Sequence, residues 1–245
     1  MARRHTNSRL QSGFSLVELM ITLIVVLAIA GAIFQTINVT TQRSSAEQTK
    51  VDMFQEGREF MDQMSRDLRQ AGYPNPRNLD PSVFTMPIIQ DPHAAVGLVQ
   101  MAPGDLWFEG DVDGTGTVSV VRYLYDTAGT NCPCLKRSTG TKSAGDPLSN
   151  TSFTYQVEVQ GVQSSNIFTA YTGGTQVPYV GGLPVNIATA SGTTIAGIDT
   201  VKAVLTLQAA TVDPQTRQKP VTTLVTTVRL NNCSQAAPGQ KTSCQ

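Results

Sequence analysis

Residues 14–34 read Phe-Ser-Leu-Val-Glu-Leu-Met-Ile-Thr-Leu-Ile-Val-Val-Leu-Ala-Ile-Ala-Gly-Ala-Ile-Phe, an apolar run whose only charge is Glu18. As a helix rising about 1.5 Å per residue it spans about 30 Å, enough to cross the hydrocarbon of a bilayer. Ahead of it Arg3, Arg4 and Arg9 stand without a single acid over residues 1–13. Positive charge on that side keeps the leader in the cytoplasm and sends the remainder outward. The carboxylate is the anomaly. At mid-bilayer it costs on the order of 2.5–3.5 kcal/mol, less near the interface, so an acid retained there needs a partner.

The residues around it, Gly13-Phe14-Ser15-Leu16-Val17-Glu18, resemble the prepilin processing motif of type IV pilins and type II secretion pseudopilins, typically Gly-Phe-Thr-Leu-Ile-Glu. The resemblance implies cleavage between Gly13 and Phe14 by a membrane peptidase and methylation of the new Phe14 amine. It also implies that Glu18 meets the Phe14 ammonium of an adjacent subunit. A buried carboxylate neutralised in this way is tolerated and fixes register, which makes Glu18 an assembly determinant. Two other readings stand beside this one. Ala28-Ile29-Ala30 is an A-x-A sequence of the kind cleaved after a secretory signal, which would leave an amino terminus at Gly31. A plain single-span anchor with an incidental Glu18 is the other.

After Phe34 the chain turns polar yet stays compatible with a helix that continues to Ala71. Val51, Phe54, Met61, Met64, Leu68 and Ala71 recur by threes, fours and one seven, an apolar stripe interrupted at Gly57 and Arg58. Gly72 supplies the residue past the helix end, and Pro74 and Pro76 prevent continuation. Arg66, Asp67 and Arg69 are expected to face water at this capped end. The stretch Asp67-Leu68-Arg69-Gln70-Ala71-Gly72-Tyr73 resembles that of PilW-type minor pilins; the related J-type pseudopilins carry a comparable but different one.

Beyond Tyr73 the period becomes two. Phe153, Tyr155, Val157 and Val159 alternate with polar residues, as do Val201, Ala203, Leu205, Leu207 and Ala209. Leu224, Val228 and Leu230 mark a further strand after the turn residues Asp213-Pro214-Gln215, so the last two strands pair as a hairpin. Shorter strands are predicted over 105–109, with Trp107 and Phe108 in the core, and over 117–125. One antiparallel sheet laid on the stalk's apolar stripe is the expected architecture. Within 161–200, Gly173-Gly174, Gly181-Gly182 and the Ser/Thr-rich run 189–194 predict surface loops with short strands between them, and partner contacts would lie on those loops. The expected fold class is α+β and type IV pilin-like: a leader over 1–13, a transmembrane or filament-core helix over 14–34, an amphipathic stalk over 35–72 and a β-rich head over 73–245.

The side-chain inventory bears on chemistry. The chain has 18 basic and 18 acidic residues and no basic stripe, so nucleic acid is not an expected partner. His5 and His93 are the only histidines, and no Gly-x-Ser-x-Gly elbow, P-loop or His-Glu-x-x-His is present. An enzyme is not expected, nor a cofactor. Asp111-x-Asp113-Gly114-x-Gly116 begins like a calcium loop, but the terminal Glu would fall at Arg122; a tight turn between strands explains the same residues. An even cysteine count in an exported chain favours disulfides over a metal site. Cys233 with Cys244 is the favoured pair. A bond between Cys132 and Cys134 would be strained, which leaves cross-pairing with the C-terminal cysteines open.

Together the resemblances imply a minor pilin that helps to initiate or tip a type IV pilus. Its implied partners are the prepilin peptidase, other minor and major pilins through the N-terminal helix, and the inner-membrane assembly platform. The implied location is the inner membrane, single-pass with a periplasmic head, then the pilus or pseudopilus. A J-type pseudopilin of type II secretion and a tip-displayed adhesin are the alternatives.

Overall fold

The structure, a computed structural model, describes residues 13–130, 132–150, 152–179, 185–188, 192–214 and 216–232. One helix, α1 (Leu16–Gln70), runs for 55 residues. Ser15 opens it with extended backbone (φ −71°, ψ 139°), and Ala71 closes it. Gly72 then turns away at φ 79°, a left-handed conformation that glycine adopts without a Cβ penalty. Its N–H donates to the Glu109 carbonyl at 2.8 Å, so the helix end passes directly into the sheet. From Leu16 to Glu56 no residue of α1 is buried. Burial begins at Gly57 and continues through Phe60, Met61, Met64, Asp67 and Leu68.

Two antiparallel sheets receive that face. The strands, in chain order, are β1 (Leu98–Ala102), β2 (Asp105–Gly110), β3 (Ser119–Asp126), β4 (Cys134–Thr141), β5 (Gln156–Gln160), β6 (Phe168–Thr172), β7 (Thr175–Gln176), β8 (Val185–Asn186), β9 (Thr200–Gln208) and β10 (Val221–Arg229). The larger sheet has the order β5-β4-β3-β2-β1-β8, and the smaller one β10-β9-β6-β7. A short helix, α2 (Gly192–Ala196), buries Ile195 and Ala196. Met64 and Leu68 sit with Leu98, Phe108, Tyr123, Phe168 and Leu205 in one apolar core between the helix and both sheets.

The α+β, type IV pilin-like arrangement is therefore observed, with corrections in detail. Two sheets replace the single one expected, because β6 pairs with β9 rather than joining β5. Gly57 does not interrupt the helix stripe but completes it: a Cβ there would stand 2.6 Å from Leu224 Cδ1 and 2.8 Å from Leu207 Cδ1. Val51 and Phe54, expected inside, are 49% and 43% exposed, since the sheet ends below them. The strand expected over 153–159 begins only at Gln156 and changes face. Leu135 pairs with Val159 while Lys136 pairs with Val157, and this bulge turns Val157 outward. Residues 161–200, read as surface loops with short strands between them, do carry the short strands β6, β7 and β8, but Ile167, Phe168, Ile195 and Ile198 are buried rather than at the surface.

The connection over 73–97 is held down by a buried ion pair. Lys142 and Glu109, each with a side chain 1% exposed, meet at 2.8 Å. Lys142 also donates to the carbonyls of Ile89 and Ala94, and Glu109 accepts the N–H of Val96. Burial pushes the Glu109 carboxyl above its ordinary value, with the Lys142 charge opposing.

The seam between helix end and β2 yields a prediction. A Cβ on Gly110 would collide with the Gln70 carbonyl and lie 3.2 Å from Ala71 Cα, both backbone that cannot yield. Gly110→Ala should therefore lose about 1–3 kcal/mol of stability. Gly140→Ala, whose Cβ would meet nothing within 4 Å, should stay within about 0.5 kcal/mol. Denaturant unfolding of the detergent-solubilised chain measures both.

Candidate processing and assembly site

Gly13, Phe14 and Ser15 precede the first turn of α1. A Cβ on Gly13 would meet nothing within 4 Å, and Phe14 is 77% exposed. The Gly13–Phe14 bond thus lies in exposed, non-helical backbone whose amide groups are not locked into helix hydrogen bonds, the condition a peptidase needs. Glu18 falls in the first helical turn, where the partial positive charge of the unpaired N–H groups favours a carboxylate. It is exposed and makes no ion pair among the described residues. Around it Leu16, Val17, Leu19, Met20 and Ile21 present apolar surface on every side of the helix. The arrangement offers one charge on a wholly apolar rod, beside a bond whose cleavage would release an amine four residues away.

The other end of α1 is tied to the head by a charge network that the sequence reading misplaced. Arg66 and Arg69 face water as expected; Asp67 does not. Its Oδ2 accepts from the Tyr123 hydroxyl at 2.7 Å and from Arg137 Nη2 at 2.9 Å and Nε at 3.1 Å. Burial, then the Asp67 charge, pushes the Tyr123 hydroxyl far above its ordinary value, so it stays a donor. The signal was available: Asp67 falls three residues after Met64, on the stripe that packs inward.

Cys132 and Cys134 are joined by a disulfide across Pro133, at the entry to β4. Their Cα atoms lie 4.3 Å apart. Cys233 and Cys244 lie outside the described residues. In the loop between β2 and β3, Asp111 accepts from the N–H groups of Thr115 and Gly116, and Asp113 from the N–H and hydroxyl of Thr115. These carboxylates shape their own turn. Among the described residues no three His, Cys, Asp or Glu side chains converge as a metal site. His93 donates its backbone N–H to the buried Asp91, whose Oδ1 also lies 2.8 Å from the ring Nδ1.

Removing Asp67 would leave Arg137, with a side chain 18% exposed, without its buried partner. Asp67→Ala should cost about 3–5 kcal/mol, whereas Arg66→Ala should stay within about 0.5 kcal/mol. Thermal unfolding of the two variants side by side tests the network.

A family model described as the prokaryotic N-terminal methylation motif matches residues 8–34. No curated protein and no solved structure matches the chain. The matched residues enclose the Gly13–Phe14 bond, Glu18 and the apolar run, so the motif supports a type IV pilin-like or pseudopilin-like prepilin, processed by a prepilin peptidase and assembled with other pilins.

Proposed function

We propose that this chain is a minor pilin of the PilW type, a structural subunit that helps to initiate or tip a type IV pilus. The carrying observation is the division of α1: an uncovered apolar half that bears a lone Glu18, continuous with a half packed into a folded head. In this reading the leader is removed at Gly13, Phe14 is methylated, and the head stands in the periplasm while the helix waits in the inner membrane. The candidate span at the start of α1 is long and apolar enough to cross a bilayer.

The protein itself makes and breaks no bond. Its helix leaves lipid for a bundle of equally apolar helices, a transfer without a large hydrophobic term in either direction. Charge then decides where it stops. Glu18 is costly in an apolar bundle until an ammonium neutralises it, and the amine released on Phe14 of a neighbour is the group that does so.

Two measurements test this. Intact mass and amino-terminal analysis of the mature protein should find methylated Phe14; a retained leader, or an amino terminus at Gly31, would overturn the reading. Glu18→Ala should be inserted and cut normally yet give no filaments, and normal piliation by that variant would remove the role given to the carboxylate. Loss of protein secretion with intact piliation would move the chain to the J-type pseudopilins.

A further inference from the structure

The sheet ends are treated unequally. Edge strands invite pairing by other chains, and proteins blunt them by shortness, bulges, proline or charge. Here β7 and β8 are two residues long, and β5 carries the bulge opposite Leu135 and Lys136. The fourth end, β10, is neither short nor bulged and has no proline within it. Its nine residues, Val-Thr-Thr-Leu-Val-Thr-Thr-Val-Arg, pair with β9 in unbroken register from Val221 with Gln208 to Arg229 with Thr200. The only charge is at its far end, and among the described residues it is bonded on one side alone.

A second observation lies beside its first residues. A groove of about 770 Å³ runs between α1 and the start of β10, with Val51, Phe54 and Val221 among its walls. Lys50, Arg58 and Lys219 line it against a single carboxylate, Asp213. Lys50 is paired with Glu47 at 2.9 Å and Asp213 at 3.5 Å. Arg58 and Lys219 are exposed and make no ion pair among the described residues. The groove is therefore apolar inside and positive at its rim.

We propose that β10 receives an extended segment of another exported subunit, hydrogen-bonded antiparallel to it, with carboxylates at the segment's C-terminal end. Antiparallel addition brings that end to Val221, where the cations stand, and gives its apolar side chains the groove. Charge at the rim fixes register and excludes wrong partners. Direction argues against a second copy of this chain. β10 runs the same way as α1: Lys50 and Val51 line the groove with Val221, Gly57 packs under Leu224, and Asn232 bonds the carbonyls of Arg69 and Ala71. Two β10 strands paired antiparallel would point their α1 helices in opposite directions, which subunits inserted in one membrane cannot do; this step rests on the membrane reading above.

The probe is a synthetic nine-residue peptide of alternating valine and threonine that ends in two glutamates, titrated against the full chain in detergent micelles. It should bind about tenfold more tightly than the same peptide ending in two lysines. Methylating the peptide's alternate backbone nitrogens on its pairing edge should abolish binding. The doubly substituted Arg58→Glu, Lys219→Glu chain should reverse the preference, and its exposed positions leave the fold intact. No binding, equal binding of the two tails, or indifference to methylation would overturn the proposal. Binding that appears only after removal of residues 233–245 would assign the edge to the chain's own terminus. Self-association of the micellar chain that the peptide dissolves would assign it to a second copy; either outcome also overturns it. The amino terminus of the same preparation is read separately, so failure of the pilin reading and failure of this one are told apart.

Discussion

Burial of the last turns of α1 against two sheets is the contact on which the molecule depends. Met64 and Leu68 are wholly enclosed, and each such side chain contributes about 1.5–3 kcal/mol relative to exposure. The same helix, a few turns earlier, leaves Leu16, Leu19, Leu23, Ile24 and Leu27 more than half uncovered. Water does not tolerate a continuous rod of this kind, so the first half of α1 must be covered by lipid or by other apolar helices. The head buries its share of that helix within the chain. The rod needs company.

Charge follows the same division. Where helix and head are packed, the buried Asp67 and Glu109 have answers within the chain: Asp67 with Arg137, Glu109 with Lys142. Breaking either of them leaves an ion stranded in a low-dielectric interior, so these pairs fix how helix, loops and strands sit together. Glu18 differs. It lies on the half of the helix with no surrounding protein and has no cation among the described residues. In the function proposed above, its complement comes from a neighbouring subunit.

Periodicity exposed the parts of the fold that repeat. The α1 boundaries, the alternation of β9 and the hairpin it makes with β10 follow from threes and fours, from twos, and from Gly72 and Asp213-Pro214 as punctuation. What stayed hidden depends on distant residues. Asp67 reads as a solvated charge until Tyr123 and Arg137 arrive from strands more than fifty positions on. Gly57 reads as a gap until Leu207 and Leu224 fill it. Val157 obeys a perfect alternation that a single extra residue in its ladder reverses. The residues of the matched motif were legible because their pattern is local: a glycine, a following phenylalanine and one acid in a greasy run need no tertiary partner to be noticed.

The alignment of β10 with α1 has a mechanical consequence. Tension applied through the helix reaches the β9–β10 ladder lengthwise, through Asn232 at the carbonyls of Arg69 and Ala71, while Asp67 ties the helix separately to Tyr123 and Arg137 of the larger sheet. Rungs loaded along the strand direction share the force and must slide together, whereas rungs pulled crosswise give way singly, in succession. A pull along the stem therefore loads the ladder in its stronger direction.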